Sequence, residues 1–154
     1  MTPFGQEQTF AFFVSAGLNT FINPMETSVD FESKMFSPFL PDEAQVNPNV
    51  YGAELAFWLA RQLAQRGTPT SYPQYEDWGW FIEYGTKDDY EYWLCCANRD
   101  GAQDKWRCCL EPKAKSLFGR NKAPVEGARP LMHALRNVLA EEPGISNVHW
   151  SNQD

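Results

Sequence analysis

Three consecutive apolar runs that keep the same parity constrain this chain more than any other feature. Trp78, Trp80, Ile82 and Tyr84 stand on even numbers, Gly85–Asp89 is turn chemistry, and Tyr90, Tyr92, Leu94 and Cys96 resume on even numbers. A second turn over Arg99–Lys105, with Asp100-Gly101 inside it, leads to Trp106, Cys108 and Leu110, again even. Side chains on a strand alternate between faces, so a meander in this phase presents one continuous apolar face, and a one-residue slip would turn that face toward water. With hairpins centred near residues 87 and 102, Trp80 is expected to face Leu94, Leu94 to face Leu110, and Cys96 to face Cys108.

A face of that size needs an apolar cover, and two helical segments supply it. Asn47-Pro48 reads as an N-cap with proline in the first helical position, and Gly67 as the C-terminal stop. Between them Leu55, Phe57, Leu59 and Leu63, with Ala56 and Ala60, make a stripe at the 3.6 period, while Glu54, Arg61, Gln65 and Arg66 remain for water. The second helix is expected at about 125–141, with Pro130 in its first turn and Leu131, Leu135, Val138 and Leu139 buried. Outside this core lie a strand over Val29–Phe36, with Val29, Phe31 and Met35 on one face, and a last strand over Ile145–Trp150. The order is β-α-β-β-β-α-β, which predicts an α+β two-layer sandwich: an antiparallel sheet with two helices on one face. The 154 residues contain no repeat and no Gly/Ser linker, so residues 28–154 read as a single domain. Residues 1–27 read as an N-terminal arm or accessory strand, with the apolar 9–22 segment laid over the core, or else as a poorly ordered leader before a natural start at Met25.

The formal charge of −7 opposes docking of the whole surface on nucleic acid or an anionic membrane. No stretch approaches the roughly 20 apolar residues that span a bilayer. No Lys or Arg precedes the apolar run Thr9–Leu18, whereas Glu7 does, so export is disfavoured and a cytoplasmic location is expected. Charge is unevenly spread. Acids dominate residues 76–104 (Glu76, Asp77, Glu83, Asp88, Asp89, Glu91, Asp100, Asp104), and bases dominate 105–137 (Lys105, Arg107, Lys113, Lys115, Arg120, Lys122, Arg129, Arg136). Such runs are ordinarily solvated loops; the sign reversal also suits a polar recognition surface.

Four cysteines in two adjacent pairs, Cys95-Cys96 and Cys108-Cys109, invite a zinc reading, which strand geometry opposes. Neighbours on a strand point to opposite faces, so Cys96 and Cys108 are expected in the core and Cys95 and Cys109 outside it. Small buried thiols in a reducing cytosol fit best, with a Cys95–Cys109 disulfide if the protein is oxidised. Nothing in the sequence calls for a cofactor or a metal. Glu76-Asp77, at a strand entrance, has the chemistry of an acid–base pair and His133 that of a partner, although a turn-capping acid and a structural histidine describe them as well. Lys113, Lys115, Arg120 and Lys122 around Gly119 have the ingredients of an anion site ahead of a helix, without the order of a P-loop; the default is an exposed solubilising loop.

Two segments carry a resemblance. Tyr51-Gly52-Ala53-Glu54-Leu55-Ala56-Phe57-Trp58-Leu59 and Glu76-Asp77-Trp78-Gly79-Trp80 resemble an uncharacterised family of small bacterial α+β proteins. These share a Gly-x-x-Leu-Ala-x-Trp-Leu helix and a Glu-Asp-Trp-Gly-Trp strand entrance, over roughly residues 28–150. In size, acidity and aromatic content the chain is also similar to small immunity proteins that neutralise bacterial toxins. The leading expectation is a non-enzymatic protein-binding module of a bacterial cytosol, immunity- or antitoxin-like. It would use Phe81 and Trp93 on the odd face, with Asp88, Asp89, Asp100 and Asp104 in the acidic turns, against a protein partner such as a basic toxin. The rival expectations are a small enzyme or anionic-ligand domain built on Glu76, Asp77 and His133 or on the basic loop, and a self-associating structural protein forming homo-oligomers.

Overall fold

The computed structural model describes residues 24–115 and 121–153, so the expected arm over residues 9–22 lies outside the described residues. The elements are β1 (Ser28–Glu32), α1 (Ala53–Gln65), β2 (Gln74–Glu76), β3 (Gly79–Gly85), β4 (Glu91–Asn98), β5 (Lys105–Pro112), α2 (Arg129–Glu141) and β6 (Ser146–Ser151). The sheet runs β2-β3-β4-β5-β1-β6 with every neighbouring pair antiparallel. Both helices lie on the even face of the meander. This is the expected α+β sandwich, with the short β2 added at one edge.

The phase argument holds across both hairpins. Ile82, Tyr92, Leu94, Cys96, Trp106, Cys108 and Leu110 are buried in one cluster with Val29 and Phe31 of β1. From the helices come Leu55, Leu59 and Leu63 of α1 and Leu131, Leu135, Val138 and Leu139 of α2. Each of these large side chains contributes roughly 1.5–3 kcal/mol relative to exposure. Trp106, fully buried, keeps its indole N–H paired with Ser33 O at 2.9 Å. In the second hairpin Leu94 faces Leu110 and Cys96 faces Cys108, as expected. In the first, Trp80 faces Cys96 and Ile82 faces Leu94, so its centre is residue 88 and not 87. Shifting a hairpin centre by one residue moves the pairing by two, which is why parity survived the error.

Local chemistry corrected several boundaries. Asn47-Pro48 forms a turn closed by Val50 N–H to Asn47 O (3.1 Å), and α1 starts five residues later, after Gly52. Asn98, at the end of β4, holds that loop by accepting from Tyr51 N–H (3.0 Å) and donating to Asn49 O (3.0 Å). At the other end Thr68 N–H bonds Leu63 O and Gly67 N–H bonds Ala64 O, a Schellman stop with Gly67 at φ +78°. The alternation expected through Met35 breaks at Ser33, whose hydroxyl accepts from Met35 N–H (3.2 Å) and donates to Gly144 O (2.8 Å). The chain turns there, burying Phe36 and exposing Met35. Trp78 is half-exposed in the two-residue turn between β2 and β3 and does not join the core.

The glycines of both motif segments meet at one place. A Cβ on Gly52 (φ +148°) would stand 2.5 Å from Cys96 O, and one on Gly79 (φ +151°) 3.3 Å from Ala97 Cβ and 3.5 Å from Cys96 O. In this chain both glycines mark the close approach of a second backbone stretch to β4.

Candidate docking groove

Helix α1 carries two apolar stripes. Leu55, Ala56, Leu59 and Leu63 face the sheet; Ala53, Phe57, Ala60 and Ala64, at i, i+4, i+7 and i+11, face away from it. Three alanines leave the second stripe shallow, so the segments beside the helix stand above it as walls. One wall is the Met35–Leu40 loop, the other the Thr70–Pro73 strap, and they enclose a cleft of about 1050 Å³. Phe39 is 90% exposed, Tyr72 85%, Leu40 59% and Phe57 51%. Phe57, expected in the core, thus belongs to this cleft.

Both walls are tied down. Phe39 N–H donates to Glu54 Oε1 of α1 (3.0 Å), and Gln45 Nε2 donates to Leu40 O (2.7 Å). Ser71 N–H bonds Glu83 O (2.8 Å) while its hydroxyl accepts from Glu83 N–H (2.9 Å), stitching the strap to β3. Proline at 38, 41, 69 and 73 narrows the backbone of each segment further. The cleft's own lining carries one acid, Glu54, and one base, Arg61, and the 3-10 turn Asp42–Ala44 that follows the first wall adds Asp42 and Glu43 outside it. The signal that could have revealed this site was Phe39-Leu40, an apolar pair bracketed by prolines in a loop.

The residues expected to bind a partner are placed differently. Phe81 is 3% exposed and stacks on Trp93, ring centroids 3.9 Å apart and 17° from parallel. Lys113 sets its ammonium 3.6 Å from the Trp93 ring centre and 3.0 Å from Glu111 Oε1. The odd-face aromatics are therefore a closed stack, and Phe81 is no exposed anchor. Asp88 and Asp89 lie in the β3–β4 turn and Asp100 and Asp104 in the β4–β5 turn, at opposite ends of β4, so they form two separate exposed patches. Asp89 and Asp100 take positive φ (+60° and +57°), which is turn work.

Of the basic loop, Lys113 is engaged as above, and Lys115 donates to Asp88 O (2.8 Å) with its ammonium 4.5 Å from the Tyr90 ring. Lys122 is exposed and bridges back to Ala114, while Arg120 lies outside the described residues. Lys113 is thus paired with Glu111 of β5, and Lys115 reaches a backbone carbonyl of the β3–β4 turn. Glu76 and Asp77 sit at the β2–β3 edge, and Asp77 O accepts from Asn47 Nδ2 (2.6 Å). His133 lines a different cleft, with Arg129, Arg136 and Trp150. Neither Glu76 nor Asp77 lines that cleft.

Asp30 anchors the remaining polar cluster of the outer face. It takes a bidentate contact from Arg107 (2.7 and 2.8 Å) and a second cation from Arg99 (3.1 Å). The Arg107 hydrogen bonds hold its carboxyl below the ordinary aspartate value against the opposing effect of burial. Among the described residues no three His, Cys, Asp or Glu side chains converge as a metal cage, and no helix is long and apolar enough to cross a membrane. Compared with protein-family models, curated proteins and solved structures, the chain matches none.

Proposed function

We propose that this domain is a non-catalytic protein-binding module whose cleft over α1 takes an apolar segment of a partner flanked by Lys or Arg. The observation that carries the reading is the pair of aromatic rings, Phe39 and Tyr72, held almost fully in solvent on opposite walls of a tied apolar cleft. Exposed aromatics cost free energy in a monomer, and aromatic anchors at the centre of an interface dominate its energy. The partner's sign follows from the net charge of −7. Neutralisation of a basic toxin in a bacterial cytosol is the specific form of this activity that we favour.

Selection from a random peptide library on the immobilised protein tests it. Apolar peptides bearing Lys or Arg should be enriched and should bind more weakly as salt rises. Phe39→Ser and Tyr72→Ser should each weaken them by about 2 kcal/mol, roughly thirtyfold. Enrichment of acidic peptides, or unchanged binding by the Phe39→Ser/Tyr72→Ser variant, refutes the proposal. Concentration-dependent light scattering that the same variant abolishes would replace it with self-association through this cleft.

A further inference from the structure

Two cross-strand cysteine pairs join β4 to β5, one on each face of the sheet, and their surroundings differ. Cys96 and Cys108 are fully buried in the core, with Cys96 Sγ 3.6 Å from Leu94 O. Cys95 and Cys109 stand directly opposite each other on the outer face, Cys95 buried and Cys109 partly open to solvent. Arg99 N–H bonds Lys105 O and Lys113 N–H bonds Glu91 O, so odd-numbered residues form the hydrogen-bonded pairs of this ladder. Such pairs hold their Cα atoms about 5.5 Å apart, inside the range a disulfide spans.

The outer pair is asymmetric. Cys95 Sγ lies 3.8 Å from Glu111 Oε2, whose negative charge disfavours loss of the thiol proton. Cys109 receives the Cys95 S–H, has Gln153 as a second donor and has the Arg107 guanidinium nearby. These contacts lower the Cys109 value despite burial, whereas donation to Cys109, burial and Glu111 push the Cys95 thiol up. A partly open sulfur beside a cation, directly opposite a buried thiol, is the arrangement of an attacking and a resolving sulfur.

We propose that Cys109 and Cys95 form a thiol–disulfide exchange site on the outer face of the sheet, with a small-molecule disulfide as co-substrate. Cys109 gives its proton to water and, as the thiolate, attacks one sulfur of RSSR; the S–S bond breaks, RS⁻ leaves and takes up a proton from water, and Cys109–SR forms. Cys95 then attacks Cys109 Sγ, its proton passing to the second departing RS⁻. The protein gives up two electrons and the hydrogens of two thiols, and RSSR becomes two RSH. Cys96 and Cys108 stay reduced, since the core shuts the disulfide out.

The reduced full chain, incubated with 2-hydroxyethyl disulfide and quenched with acid at intervals, provides the test by intact mass and fragment mapping. The wild type should carry its first adduct on Cys109 and then lose it as a Cys95–Cys109 crosslink forms. Cys95→Ser should stop at the Cys109 adduct, and Cys109→Ser should form neither product. A wild type that stays reduced, a first adduct on Cys95, or equal reaction at Cys96 and Cys108 overturns the proposal. The wild-type time course decides the matter even where a variant folds poorly. Because the pair lies on the other side of the sheet from the α1 cleft, its failure would leave the binding proposal standing.

Discussion

Replacing Gly52 by alanine tests the close approach on which the seating of α1 depends. At φ +148° an L-residue sits in a region essentially reserved for glycine, at a cost of order 1–3 kcal/mol. The added methyl would also lie 2.5 Å from Cys96 O, a backbone atom of an inner strand. That oxygen cannot withdraw without lifting Leu94 and Cys96 from the core, and such overpacking adds about 1–3 kcal/mol. The sum, about 2–6 kcal/mol, is a large part of the roughly 5–15 kcal/mol that holds a domain together. Gly67→Ala is the control: φ is +78°, and nothing lies within 4 Å of the new methyl. Only left-handed strain is left there, about 1–2 kcal/mol. Urea unfolding of the three proteins, fitted with a common m value, reads the difference. If Gly52→Ala loses no more stability than Gly67→Ala, the contact between the α1 entrance and β4 does not constrain the fold and the reasoning fails.

Two further perturbations probe the packing of α2 and the outer ion cluster. A Cβ at Gly127 would overlap Tyr92 Oη, which donates to Pro124 O at 2.5 Å. Gly127→Ala should therefore cost about 2–4 kcal/mol and Tyr92→Phe about 1–2, with the double variant losing less than the sum; strict additivity would deny the contact. Asp30, whose folded value is depressed, contributes stability that is present above its unfolded value near 3.8 and lost as pH falls through the folded one. The stability gap between wild type and Asp30→Asn should accordingly be largest near neutrality and close in acid. A gap independent of pH would show that the Arg107 contact is not the cause.

The sheet face was legible because its information is local and periodic: the apolar even-numbered residues of β3, β4 and β5 sort inward whatever the exact register, and Leu131, Leu135, Val138 and Leu139 follow from the helical period. Gly67 was readable for the same reason, as a stop needs only its own backbone freedom. Phe57 was not, because a helix with two apolar stripes offers the same residue type to the core and to the cleft, and spacing alone does not say which stripe meets the sheet. Phe81 differs in another way: parity placed it on the outer face, where it stands, but only the fold shows Trp93 stacked on it and Lys113 over Trp93. The acidic turns looked like one surface because they are near in sequence, yet β4 runs between them and sets them at opposite ends. What the amino-acid order determined by itself, then, was which side of each element is apolar, since alternation and the 3.6-residue turn are properties of a single segment. Which apolar side is left uncovered, and which cations are taken up by neighbouring acids, was decided by the tertiary structure, because both depend on residues far apart in the chain arriving at the same place.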